Sequence, residues 1–195
     1  MSGKIGLIGS QGVGKTDTLY RLTSLLHKYN NTDAIIEVVK PVTQFGLPIN
    51  EETTFDAQEA IQFYQKFQEL VVEERIRRKE IKYGIFDRTV IDNYVYAENK
   101  SPEKSKKILY PQVVDWLERH PYYKLFKFPI WKDEITPDGT RSVNKQFQIT
   151  IDNKLSILLK ELEIPYEEIP KEYFLQDDEE QAISFIRYFK KYIKG

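Results

Sequence analysis

Gly9-Ser10-Gln11-Gly12-Val13-Gly14-Lys15-Thr16 decides how this chain is read, for it fulfils G-x-x-x-x-G-K-[ST] in full, directly after the short apolar run Ile5 to Ile8. Glycines let the backbone turn until its N–H groups face a phosphate, and the amino end of a following helix adds partial positive charge. Lys15 is expected on the outer phosphates of a bound nucleotide. The Thr16 hydroxyl is expected on Mg2+, where the ion offsets charge on the phosphoryl oxygens. Gly9, Ser10, Gln11, Gly12, Val13, Gly14 and Asp17 complete the expected nucleotide-binding set. A glycine-rich turn with no ligand is the bland alternative, disfavoured by the strand before the loop and the helix after it.

Outward from this loop, strand and helix patterns alternate. Leu19, Leu22, Leu25, Leu26 and Tyr29 recur at helical spacing from Thr16 to about Asn30, with Asn30-Asn31 as a stop. Ala34 to Val39 is rich in β-branched residues and ends before Lys40-Pro41, which predicts a second strand. One helix or two are predicted from Asp56 to about Lys82 on Ala60, Ile61, Tyr64, Phe67, Leu70 and Val71, with Asp56 as cap and Phe63, Tyr64 and Phe67 in the core. Tyr83 to Phe86 reads as a third strand, Thr89 to Glu98 as a helix, NKSPEKSKK as a surface loop and Gln112 to His120 as a helical segment. Tyr122 to Ile130 resembles a fourth strand. A lid is expected within residues 131–147, where Pro137, Asp138 and Gly139 stand among several charges. Ile151 to Leu162 is helical by pattern, Tyr166 to Ile169 a short strand, and Glu179 to Lys194 an amphipathic end helix. Such alternation predicts an α/β parallel sheet with helices on both faces and ligands outside the carboxyl ends of its strands. No repeat or linker divides the chain, so residues 1–195 are expected to form one domain.

Three further segments fall at those strand ends. Asp87 ends the third strand, where a carboxylate holds magnesium or its water shell, and Arg88 after it suits an acceptor phosphate or the transferred group. An ion pair with a surface carboxylate is the alternative for Arg88, and Asp92, one turn on, is a weaker candidate. Glu37 interrupts an apolar strand, and a buried carboxylate is costly without a partner or a job. It is read either as acceptor of a substrate hydroxyl proton or a bond to a sugar, or as a partner of Lys40, itself a weaker acceptor contact. Arg141, beyond Pro137-Asp138-Gly139, suits a cation delivered to the triphosphate by a closing lid. The catalytic candidates are therefore Lys15, Glu37, Asp87, Arg88 and Arg141, with Glu37, Lys40 and Arg88 on the substrate and Thr16 and Asp87 on the metal.

Bulk properties remove several classes of function. The 195 residues are 41% hydrophobic and 30% charged with a net charge of -1, which describes a globular chain with no global field for nucleic acid or an anionic membrane. With no cysteine, disulfides and thiolate zinc sites are excluded. His27 and His120 lack metal-ligand spacing, and Arg75, Arg77, Arg78, Lys79 and Lys82 alternate with Glu73, Glu74 and Glu80 as a solvated mixed face does. The N-terminus lacks a secretory pattern and no run is long enough to span a bilayer, so the cytoplasm is the expected location and no membrane partner is expected.

The set GLIGSQGVGKT, EVVKP, IFDRTVIDNYVYAE and DGTRSVNKQFQITID resembles the P-loop nucleoside and nucleotide kinase superfamily. It is most similar to the AAA-domain group allied to the nicotinamide riboside kinase domain, with a more distant likeness to thymidylate and deoxynucleoside kinases. The resemblance implies a three-layer P-loop NTPase fold with a lid segment and a five-stranded parallel sheet in which the third strand neighbours the first. It implies ATP and Mg2+ as cofactors, Lys15 and Thr16 serving them, Glu37 and Asp87 around the acceptor hydroxyl, Arg88 on acceptor or phosphate, and Arg141 in the lid. Where relatives show E-x-x-R after the second strand, this chain has Glu37-Val38-Val39-Lys40, which removes a bidentate phosphate contact. The leading expectation is transfer of the ATP γ-phosphoryl group to a nucleoside, then to a nucleoside monophosphate, then to a polynucleotide 5′-hydroxyl. A nucleotide-dependent switch or regulatory ATPase is the competing class, and a homodimer is left open.

Overall fold

A computed structural model of the chain describes residues 2–27, 32–35, 39–137, 142–174 and 178–193. Its elements run β1 (Gly3–Ile8), α1 (Lys15–His27), β2 (Thr32–Ile35), α2 (Val39–Gln44), α3 (Phe55–Arg77), β3 (Tyr83–Asp87), α4 (Val90–Lys100), α5 (Pro102–Arg119), β4 (Lys124–Lys127), α6 (Lys145–Glu161), β5 (Glu167–Glu168) and α7 (Asp178–Ile193). All four ladders are parallel and the strand order is β2-β3-β1-β4-β5, so β3 lies beside β1 as expected. Leu7 of β1 stands opposite Asp87 on one side and Phe126 on the other, which sets the carboxyl ends of the central strands level.

Alternation along β1 divides the core. Ile5 and Leu7 pack with Leu19 and Leu22 of α1 and with Phe185 and Phe189 of α7, while Ile8 packs on the other face with residues of α4, α5 and α6. Lys4 shares the Ile8 face by period two. Gly84 of β3 lets α3 approach closely: a Cβ there would lie 2.2 Å from Val72 Cγ1.

The structure corrects four expectations. The described part of the second strand is Thr32–Ile35, and Val39, expected at its end, opens α2. Pro41 sits in that first helical turn, where its missing N–H orphans nothing. α5 occupies most of the expected lysine-rich loop, because NKSPEKSKK breaks only at Ser101 and Pro102 then starts a new helix. Its lysines are the solvated face, while Ser105, Leu109, Val113 and Trp116 point inward. α6 begins at Lys145, ahead of the expected Ile151, capped by the Asn144 side chain accepting from Phe147 N–H at 3.0 Å.

The fourth correction concerns α3. Thr54, and not Asp56, caps it. Its buried face carries Gln58, Gln62, Gln65 and Glu69 beside Phe55, Ala57, Ile61 and Val72, whereas Phe63, Phe67, Leu70 and Val71 face solvent. Lys4 explains the inversion. Its ammonium, 2% exposed, lies 2.9 Å from Glu69 and 2.6 Å from Glu73, and a lysine buried in β1 requires a carboxylate from the helix above it. Glu69, 0% exposed, also accepts from Trp116 Nε1 and Gln65 Nε2, each at 2.9 Å, and from the Tyr122 hydroxyl. Burial, followed by the Glu69 charge, pushes the Tyr122 hydroxyl well above its ordinary value, which keeps it a donor.

Candidate active site

β1 ends at Ile8 and α1 begins at Lys15, leaving a loop in which Gly12 and Gly14 hold φ of 74° and 91°. Side chains rarely adopt those angles, and a Cβ on Gly12 would stand 2.9 Å from Ile135 Cγ2. Lys15 donates to the carbonyls of Gly9 at 2.8 Å and Ser10 at 2.7 Å, which folds its ammonium across the loop it follows. Thr16, next on α1, donates its hydroxyl to Asp87 Oδ2. The hydroxyl and the carboxylate expected on one metal are thus brought together from the start of α1 and the end of β3.

The Asp87-Arg88 segment is held from several sides. Arg88 has φ 79° and its N–H donates to Leu7 O at 3.1 Å. For a residue other than glycine such a backbone costs about 1–2 kcal/mol. From α3, Gln65 Nε2 approaches the Arg88 carbonyl at 3.4 Å and Gln62 Nε2 donates to Val90 O at 3.2 Å, while Val90 N–H donates to the Tyr122 hydroxyl at 3.3 Å. The buried cluster around Glu69 therefore reaches the backbone of this segment through Gln65 and Tyr122. The Arg88 guanidinium lies 4.6 Å from the centre of the Tyr96 ring, and the Tyr96 hydroxyl donates to Gln11 Oε1 at 2.9 Å.

Asp92 joins the two loops. Its carboxylate accepts from Gly9 N–H at 3.0 Å and from Thr89 N–H and hydroxyl at 2.9 and 2.8 Å. The Thr89 N–H bond is one arm of a capping box at the start of α4, the other being the Asp92 N–H donating to the Thr89 side chain. Burial raises its carboxyl above the ordinary value of 3.8, opposed by Lys15, Arg88 and these hydrogen bonds. The sequence marks this tie only as Thr89-x-x-Asp92, and its reach to Gly9 is tertiary.

Between these walls lies a cavity of about 280 Å³. Gln11 to Asp17, Asp87, Arg88, Gln58, Asn93, Tyr96 and Trp131 are among the residues that line it. Trp131 donates to Val13 O at 3.1 Å and stacks on Phe174 with ring centres 5.2 Å apart, which braces the loop from outside. Gln148 of α6 donates to Gln11 O at 2.6 Å. Gln58, Asn93, Tyr96, Trp131 and Gln148 were not among the sequence candidates. Asn93 and Tyr96 lie in the run VIDNYVYA, whose pattern is that of a core helix, and Gln58 was hidden by the inverted reading of α3.

Lys15, Thr16, Asp87 and Arg88 are thus brought together with Gly9, Ser10, Gln11, Gly12, Val13 and Gly14, and Asp17 lies exposed at the rim. Glu37 and Arg141 fall outside the described residues. Lys40 is placed by its backbone in the first turn of α2, with its side chain outside that set. Among the described residues no helix is long and apolar enough to cross a membrane.

The family model described as AAA domain matches residues 4–176. Among solved structures, the NadR protein in complex with NR superposes with a TM-score of 0.74 at 17% identity, over 100% of this chain and 52% of that one. NadR with NAD and AMP-PNP gives 0.70 at 15%, over 100% and 50%, so this chain spans about half the length of NadR. Deoxyadenosine kinase from M. mycoides, with the products dCMP and a flexible dCDP bound, gives 0.62 at 14%, over 96% of this chain and 99% of that one. No curated protein matches the sequence. At these identities the likeness is one of fold.

Proposed function

The chain belongs to the AAA domain family, and from that premise we propose that it is an ATP- and Mg2+-dependent phosphotransferase whose acceptor is a nucleoside or nucleotide. The observation that carries the reading is the hydrogen bond from Thr16 to Asp87 beside a loop whose backbone turns around Gly12 and Gly14. Oxygen donors from one hydroxyl and one carboxylate suit a hard ion that keeps waters and phosphate oxygens in its own shell. Among the described residues there is no group of three or more His, Cys, Asp or Glu that could hold a metal ion by itself. Mg2+ bound by Thr16 and Asp87 would supply charge neutralisation at the transferring phosphoryl group.

In the proposed reaction an acceptor hydroxyl oxygen bonds to the γ-phosphorus as the bond to the β–γ bridging oxygen breaks, releasing ADP. The hydroxyl proton goes to a carboxylate. Glu37 and Asp87 are the two carboxylates proposed for this role. Lys15 leaves the Gly9 and Ser10 carbonyls for the outer phosphates, Arg88 offsets charge on the acceptor side, Arg141 closes over the triphosphate and Lys40 contributes a weaker acceptor contact. Asn93 and Gln58 are among the residues lining the cavity, and their carboxamides would suit an uncharged polar ring on the acceptor. The dCMP, dCDP and AMP-PNP held by the proteins of similar fold support a nucleotide-sized occupant.

Labelled phosphate from Mg-ATP, followed into nucleosides, mononucleotides and 5′-hydroxyl oligonucleotides with Lys15→Ala as control, tests the proposal. Transfer into one acceptor class that is lost in the variant is the expected result. Tight ATP binding with no acceptor-dependent transfer would refute it in favour of a regulatory nucleotide switch.

A further inference from the structure

We propose that the outward face of α3 is a self-association surface, on which a second copy of this chain packs its own α3 antiparallel about a two-fold axis beside Phe67. Phe63 and Phe67 are 72% and 52% exposed, and Leu70 and Val71 join them on the same side of the helix. Large apolar side chains on consecutive turns leave much of their surface in water where they stand, and such stripes mark interaction sites.

The occupant follows from the order of charges. Read away from Phe67 in steps of four, three and four, the outward face runs Val71, Glu74, Arg78 toward one end and Phe63, Ala60, Asp56 toward the other. With Phe67 against Phe67 in an antiparallel pair, Phe63 meets Val71, the small Ala60 makes room for Glu74, and Asp56 meets Arg78. Both ends then pair acid with base. A parallel pair would set Asp56 on Asp56 and Arg78 on Arg78, and like charges in register repel. The antiparallel arrangement also opposes the two helix dipoles.

Existing contacts leave these ends able to join. Asp56 is exposed with Lys104 at 3.4 Å, and Arg78 holds Glu74 at 2.7 Å on the surface, so the intermolecular pair extends two existing ion pairs. Twenty-two rises separate Asp56 from Arg78, about 33 Å of helix, enough for an extended seam. A two-fold self-complementary seam closes at two copies.

Sedimentation of the full chain should show a dimer at micromolar concentration. Phe67→Glu places two carboxylates at the axis and should weaken association by at least about tenfold while leaving the circular dichroism unchanged, since the side chain is exposed. The chain contains no cysteine, so single thiols report geometry cleanly. Phe67→Cys should form a disulfide-linked dimer on oxidation. Asp56→Cys alone should not, but should crosslink when mixed with Arg78→Cys. A monomer throughout, a dimer indifferent to Phe67→Glu, or ready self-crosslinking of Asp56→Cys would overturn the proposal. None of these readouts depends on phosphoryl transfer.

Discussion

Replacing Glu69 with leucine removes the acceptor on which four donors converge: Lys4 Nζ, Gln65 Nε2 and Trp116 Nε1, each at 2.9 Å, and the Tyr122 hydroxyl. Lys4 keeps Glu73 at 2.6 Å and the His120 carbonyl at 2.9 Å, so it is not stranded. Trp116 Nε1 and the Tyr122 hydroxyl lose their acceptor inside the core, Gln65 Nε2 keeps only the Arg88 carbonyl at 3.4 Å, and each orphaned polar group costs about 1–3 kcal/mol. Breaking one side of a buried pair gives a similar total, about 3–5 kcal/mol. For a chain of this size the melting temperature should fall by about 6–20 °C. Lys4→Met, which leaves Glu69 with its three other donors, should cost less, about 2–3 kcal/mol. The double variant should fall short of the sum by about 1–3 kcal/mol, because the Lys4–Glu69 attraction is lost only once. Urea unfolding of the four proteins measures all three quantities. A Glu69→Leu loss under about 1 kcal/mol would show that the carboxylate does not anchor α3, and strict additivity would show that the pair is uncoupled.

Three further outcomes are expected. Gly12→Ala forces a side chain to φ 74° with its Cβ 2.9 Å from Ile135, and should cost about 1–2 kcal/mol of stability and weaken Mg-ATP binding by calorimetry; unchanged affinity would contradict the close packing of the loop. Gly84→Ala brings a Cβ within 2.2 Å of Val72 Cγ1 and should destabilise by about 1–3 kcal/mol, with partial recovery in Gly84→Ala/Val72→Ala; a recovery of nothing would place the strain elsewhere. Because the carboxyl of Asp92 is raised above 3.8 in the folded protein, the folded state holds its proton more tightly than the unfolded state does. Its contribution is fully present below 3.8 and is lost as pH rises through the folded value, so Asp92→Asn should remove a downward component from the stability profile in that window; a profile parallel to the wild type would refute the assignment.

The phosphate loop and the sheet were legible because their signals are local. Glycines at fixed offsets, a lysine and a threonine constrain one backbone path, and Asp87-Arg88 stands out where a buried strand ends. Asn93 and Tyr96 gave no such mark, since a helix that carries site residues on its inner face has the same periodicity as one that carries core. α5 was hidden for the opposite reason: a solvated lysine face resembles a loop when the inward residues are Ser105, Leu109, Val113 and Trp116.

α3 shows what periodicity leaves undecided. Two stripes run along it at the same spacing, Gln58-Gln62-Gln65-Glu69 and Phe63-Phe67-Leu70, and propensity cannot say which turns inward. Lys4 decides it, because a buried ammonium in β1 selects a carboxylate over an aromatic ring. Once Glu69 turns in, three glutamines follow by helical geometry: Gln65 and Gln62 reach Arg88 and Val90, and Gln58 reaches the cavity. The same rotation drives Phe63 and Phe67 outward. The polar underside that holds the Asp87-Arg88 segment and the apolar outer face that would meet a second copy are therefore two consequences of one buried ion pair.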